Sequence, residues 1–216
     1  MCIYILLVVL KNYFTSIPYQ PLLRPDRDLP IVDPKYVLKM PTVFKIEKSK
    51  KIFVENDITV KGVDDELLYQ SSSVNNNLIN SQNEVIISWD VSRKNMVRRF
   101  FLGKKRDKSV GVITEHCNND ILHRYSLEFV NNKTNTMERF YMNCDPDWYL
   151  GTILYGNLDQ LKLVGRITKD QYEKRLFQME MVAGVDSVYL LAVGLFFLNS
   201  SVEKNYGPKT SNNQKR

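Results

Sequence analysis

The sequence predicts a mainly β protein, a barrel or wrapped sheet with one buried helix running through it, and two observations carry that prediction. The first is Val188 to Leu198, VYLLAVGLFFL, which is apolar on every side of a helix; such a helix has to be enclosed by other parts of the protein. As a helix it would span roughly 16 Å against the ~30 Å hydrocarbon core of a bilayer, with Asp186 and Asn199 bracketing it, so enclosure is expected and not a membrane span. The second is a run of short segments ahead of it in which apolar and polar residues alternate with a period of two, the signature of half-buried strands.

Taken in order, Cys2 to Leu10 is apolar, but no basic residue precedes it and no small-residue cleavage site follows, so an intracellular, cytoplasmic protein with some membrane association is expected over a secreted one. The sequons at Asn132 and Asn199 would matter only in a secreted chain. Pro18, Pro21, Pro25, Pro30 and Pro34 then remove backbone donors and favour extended or turn conformations, which reads as a leader outside the core. Strands follow at Ile58–Val60, at Val85–Val91 with Val85, Ile87, Trp89 and Val91 on one face, and at Tyr125–Phe129. Shorter runs lie at Phe140–Met142, Trp148–Tyr155, Leu161–Ile167 and Phe177–Met181, with turn chemistry between them. Gln70 to Asn83 is rich in Asn and Ser and reads as a mobile loop. Lys169 to Leu176 could form a turn or two of helix. The expected organisation is therefore a leader over 1–36, one domain over 37–201 with its helix at 187–199, and a disordered tail over 202–216.

Charge narrows the function. The 216 residues carry 30 Lys and Arg against 24 Asp and Glu, a net of +6, unevenly placed. Between Arg93 and Lys108 eight basic residues stand against Asp107 alone. A positive patch attracts phosphate, on acidic lipid or on nucleic acid. Arg98, Arg99, Lys104, Lys105 and Arg106 are the candidate anion-binding residues, with a second set at Lys48, Lys50 and Lys51. The plain alternative is that these cations solvate a hairpin whose Phe100 and Leu102 face the core.

Enzymatic readings find little support. Neither a P-loop nor a GxGxxG pattern occurs. Glu115-His116-Cys117 places acid, imidazole and thiol in adjacent positions, but neighbours in a strand point to opposite faces, which poses a nucleophile pair badly. Asp145-Pro146-Asp147 is turn vocabulary before it is a calcium site. Three cysteines, Cys2, Cys117 and Cys144, show no CxxC spacing and no disulfide framework. No catalytic residue, metal or cofactor is expected.

Three stretches together resemble the tubby-like superfamily of tubby proteins, phospholipid scramblases and LURP-one-related proteins. Leu163-Val164-Gly165-Arg166-Ile167-Thr168-Lys169 looks like a late strand of those proteins, Phe177 to Asp186 like the final strand and its acidic turn, and Val188 to Leu198 like their central helix. The resemblance implies a closed antiparallel barrel of about twelve strands around the helix. It also implies a non-enzymatic, monomeric, peripheral membrane protein whose basic surface holds phosphoinositide or other anionic phospholipid headgroups. A scramblase-like activity and a nucleic-acid- or protein-binding barrel are the alternatives. Scrambling would require the helix to enter lipid, and nucleic-acid binding would use Phe100 and Phe101 for stacking.

Overall fold

The computed structural model describes residues 20–49, 57–72, 74–90, 97–118, 123–157, 160–173 and 175–206, apart from the side chains at 97, 117, 118 and 200–206. Twelve strands run as one antiparallel meander: β1 Thr42–Lys48, β2 Ile58–Lys61, β3 Leu67–Ser72, β4 Asn77–Asn80, β5 Val85–Trp89, β6 Val97–Leu102, β7 Ser109–Asn118, β8 His123–Asn131, β9 Thr136–Cys144, β10 Leu150–Tyr155, β11 Lys162–Lys169 and β12 Leu176–Met181. Each pairs with its neighbours in sequence, and β1 pairs with β12 from Thr42 opposite Met181 to Glu47 opposite Leu176, so the barrel closes and no edge strand is left open. Helix α1, Ser187–Tyr206, leaves β12 through a short turn. The meander gives the barrel a proximal end, where α1 begins, and a distal end toward which α1 runs.

Period-two alternation is what fills the interior. Tyr125, Leu127 and Phe129 of β8 face inward against Phe140 and Met142 of β9, and Phe44 and Ile46 of β1 lie beside Phe177 and Met179 of β12, all at most 3 % exposed. Val188 to Leu198 stands inside this ring, its apolar side chains no more than 3 % exposed. Burying a large apolar side chain contributes roughly 1.5–3 kcal/mol, so the helix is held by the barrel and the barrel is filled by the helix. Among the described residues no helix is long and apolar enough to cross a membrane.

Four sequence expectations give way to the structure. Gln70 to Asn83 is not a loop but most of the β3–β4 hairpin. Ser71 Oγ donates to the Asn77 carbonyl at 2.6 Å and Asn76 Nδ2 to the Val74 carbonyl at 3.0 Å, while Leu78 alone reaches the core. Along β5 the alternation breaks: Leu78 pairs Ile87 but Ile79 pairs Val85, a β-bulge at Ile86 that turns Val85 outward. In place of a helical turn after Lys169, the Asp170 carboxylate accepts the N–H groups of Tyr172 and Glu173 and folds a tight turn. The helix runs past 199 to Tyr206, into the span expected to be tail; 207–216 lie outside the described residues, as do Cys2–Leu10 and Val91.

The proline-rich segment departs furthest from expectation. Residues 20–38 close the proximal end, with Leu29 and Ile31 buried to 0 % and 1 %. Proline's missing donors suit this role, and the donors that remain are consumed: Leu29 N–H donates to the Gly184 carbonyl, and those of Ile31 and Val32 donate to the Asp186 carboxylate at 3.0 and 2.7 Å. Gly184 holds φ +90°, a conformation that turns β12 sharply into α1 and that other residues rarely adopt. Farther along, the buried carboxylate of Glu138 accepts hydrogen bonds from Tyr155, Asn131 and Thr136 and an ion pair from Arg27, clasping the segment to β9 and β10.

Candidate functional site: a basic groove on the outer face of β4 and β5

The turn joining β6 to β7 does not project outward from the barrel end but leans back over β5. Gly103 N–H donates to the Ile86 carbonyl and Ser88 Oγ to the Gly103 carbonyl, which pins the start of the turn against the strand. Arg106 then takes a left-handed backbone, φ 57°, unfavourable for a long side chain, and its guanidinium reaches along β5 to the Trp89 carbonyl at 3.2 Å and to Asp90 at 3.4 Å. Strain of this kind collects where a side chain has to be aimed.

Beneath the turn lies a groove of about 690 Å³. Its floor is the outward face of β4 and β5, where Asn77 stands opposite Ser88 and Ile79 opposite Val85, the second pairing being a product of the bulge at Ile86. Asn75 and Asn83, from the turns at either end of β4, form its rims, and Lys104 and Arg106 overhang it. Both rim turns are built by local side-chain bonds. Ser72 Oγ accepts from Val74 and Asn75 N–H, and Asn80 Oδ1 accepts from Gln82 and Glu84 N–H. The walls are thus set before any ligand arrives. Lys104 is exposed and makes no ion pair among the described residues. Asn77 Oδ1 is shielded from solvent and has no hydrogen-bond partner among the described residues. A buried amide end without a partner costs of the order of 1–3 kcal/mol, and a bound molecule would relieve that cost.

The sequence-predicted cations do not all meet here. Lys104 and Arg106 converge; Lys105 is exposed on the same turn, and Arg99 is exposed on the outer face of β6. Arg98 is elsewhere. It has the same strand parity as the buried Phe100, and its guanidinium lies 4.9 Å from the centroid of Phe196, so it stacks on α1 near the distal mouth. Lys48 sits at the distal end of β1 with its ammonium 3.8 Å from Asp57. Lys50 and Lys51 lie outside the described residues, as do Arg93 and Lys94. What the sequence reading missed is the polar lining, Asn75, Asn77, Asn83 and Ser88.

Other chemistry-bearing groups are occupied structurally. Asp145 accepts the N–H groups of Tyr149 and Leu150 with its two oxygens, at 2.9 Å each, and closes the turn before β10. His116 Nε2 shares a 2.7 Å hydrogen bond with Ser126 Oγ. The Cys144 thiol is buried, which pushes it well above its ordinary pKa and keeps it from acting as a thiolate. Among the described residues no group of three His, Cys, Asp or Glu is placed to hold a metal ion. Comparison with protein-family models, with curated proteins and with solved structures finds no match to this chain.

Proposed function

We propose that the protein is a non-enzymatic barrel of the tubby-like kind that holds an anionic, phosphate-bearing headgroup in the groove on β4 and β5, acting as a monomer at the cytoplasmic surface of a membrane. The observation that carries this is the convergence of Lys104 and Arg106 over a half-polar groove. Cations supply the attraction for phosphate, amide N–H groups of the lining asparagines can donate to its oxygens, and Asn77 Oδ1 can accept from a hydroxyl on the uncharged part of the ligand. Ile79 and Val85 give the floor an apolar patch for the uncharged part of a ligand.

The competing readings have less to stand on. Phe100 is wholly inside the core, packed 5.5 Å from Tyr189 between ring centroids, and offers no face on which a base could stack. A helix that entered lipid would have to leave the ring of side chains that encloses Val188 to Leu198.

Purified protein is expected to sediment with phosphoinositide-containing vesicles and not with neutral ones, and to be released as salt rises toward roughly 0.5 M, where screening shortens the reach of surface charge to a few ångströms. Lys104→Glu should weaken this binding by about ten-fold, the effect of reversing one contact charge at an exposed site. Arg98→Ala should leave it unchanged, because that guanidinium faces α1. Equal sedimentation of wild type and Lys104→Glu would remove the groove from consideration.

A further inference from the structure

A single exposed apolar side chain is ordinary on a protein surface, and this barrel has several. Val74 is set apart by where it stands and how firmly it is held. It is 78 % exposed at the apex of the β3–β4 turn, the one apolar residue in the run from Gln70 to Asn77. Ser72 Oγ accepts the Val74 N–H at 3.2 Å, and Asn76 Nδ2 donates to the Val74 carbonyl at 3.0 Å, so the backbone is fixed on both sides while the side chain is left in solvent. The next residue, Asn75, is a rim of the groove. The Arg106 guanidinium stands at the same corner. Trp89 N–H donates to the Asn76 carbonyl at 2.9 Å, and the Trp89 carbonyl accepts from Arg106 Nη2 at 3.2 Å. In a strand the N–H and C=O of one residue point to the same side, so the guanidinium lies on the β4 side of β5, beside the turn that carries Val74. The acid at this corner, Asp90, is paired with Arg106.

We infer that Val74 is a membrane-inserting residue, entering the interfacial layer of an anionic bilayer while Lys104 and Arg106 hold the phosphate of one lipid headgroup in the groove. This rests on the reading of the groove as an anion site, and adds that the anion is presented by a bilayer. A soluble ester would fill the groove and leave the surface outside its rim in water. A lipid phosphate instead lies next to the acyl layer, so a protein that grips it brings the surface beside the groove to that boundary. There an apolar side chain gains by going in, while the cations stay at headgroup level, with the exposed Lys105 of the same turn adding to the attraction. The turn is ordered beforehand, so insertion costs little conformational freedom. Val63 is the instructive contrast. It is 65 % exposed at the β2–β3 turn, but Asp64, Asp65 and Glu66 follow it, and an anionic surface repels that turn.

The test uses the full chain with phosphatidylcholine vesicles containing phosphatidylinositol bisphosphate and, as a separate arm, soluble inositol trisphosphate. Val74→Asp should weaken vesicle binding by about ten-fold, the loss of one inserted valine, and change inositol trisphosphate binding by less than about two-fold. Val63→Asp should change neither, with circular dichroism confirming that the variants are folded. Val74→Trp should bind vesicles at least as well as wild type, and its fluorescence should be quenched by brominated acyl chains; Trp89 and Trp148, 2 % and 3 % exposed, give a constant background. Unchanged vesicle binding by Val74→Asp, with no quenching in Val74→Trp, would show that Val74 stays out of the bilayer and would leave the groove an anion site. Equal weakening toward vesicles and soluble trisphosphate would place the effect in the groove and overturn the insertion. If wild type binds the soluble ester but not vesicles, a free ligand is read, and insertion falls while the anion site stands. Binding to neither removes both.

Discussion

Asp186→Ala is expected to destabilise the protein by about 3 kcal/mol, because it would strand several buried backbone donors at once. Asp186 is wholly buried and caps α1, its Oδ1 accepting the Tyr189 N–H at 3.1 Å, while its Oδ2 accepts from Ile31 and Val32 and, more distantly, from Asp33 at 3.4 Å. One carboxylate therefore starts the central helix and fastens the segment that closes the proximal end. Removing an N-cap alone costs about 1 kcal/mol; each buried N–H left without an acceptor adds about as much again, offset in part by relief of a buried charge. Urea denaturation measures the total. Hydrogen exchange should show protection lost first at Ile31 and Val32, ahead of the barrel strands. A loss under about 1 kcal/mol would mean that water replaces the carboxylate at little cost and that the closing segment is held by Leu29 and Ile31 alone.

The same group sets a pH dependence of definite sign. Burial raises the Asp186 carboxyl above its ordinary value of 3.8, more strongly than its four N–H partners lower it. A folded-state pKa above the unfolded one means that the native protein binds the proton more readily, so this group's contribution is fullest below pH 3.8 and is lost as pH rises through the raised folded value. Asp186→Asn lacks that titration. The stability difference between wild type and Asp186→Asn should therefore shift in favour of wild type as the solution is acidified through that window; a shift the other way would show that the hydrogen bonds outweigh burial.

How far this was legible in the sequence depends on which force shaped each element. Where burial of apolar side chains decides, as in Tyr125-Leu127-Phe129 or Val188 to Leu198, the pattern is written in residue type and the fold class follows. Where hydrogen bonds decide, it is not. The β3–β4 hairpin has one fully buried apolar anchor, Leu78, and otherwise lives on Ser71, Ser72 and Asn76, which look the same in a hairpin as in a loop. The proline-rich segment reads as external because its partner, Asp186, is about 155 residues away in sequence. The groove shows the same division. Charge density pointed to Lys104 and Arg106, but no local pattern says that their turn folds back over β5, and the asparagines beneath them sit in the stretch that resembled a loop. Arg98 could have been placed: once Phe100 is assigned to the core, a residue two positions earlier in the same strand shares its face.

Gly111→Ala is the second substitution with a large expected effect, a loss of about 2–3 kcal/mol. Gly111 lies on the inner face of β7, opposite Phe100 on one side and Phe129 on the other, and a Cβ there would come within 2.7 Å of Tyr189 Cε2 and 2.8 Å of Cζ, and closer still to Oη. Tyr189 cannot retreat, since it is fully buried on α1 with Phe100 and Phe129 packed against its ring. Its hydroxyl has no hydrogen-bond partner among the described residues, and burial pushes its pKa up, so it stays protonated. Tyr189→Phe alone should then be neutral or stabilising by up to about 1 kcal/mol, since it deletes a polar group that gains nothing from being inside. In that background the added methyl of Gly111→Ala loses its worst clash but keeps those with the ring, so its cost should fall by about 1 kcal/mol and not vanish. Four denaturation curves close the cycle. An identical cost for Gly111→Ala with Tyr189 and with Phe at 189 would show that strand β7 gives way and that contact between the strand and the central helix is looser than the geometry implies.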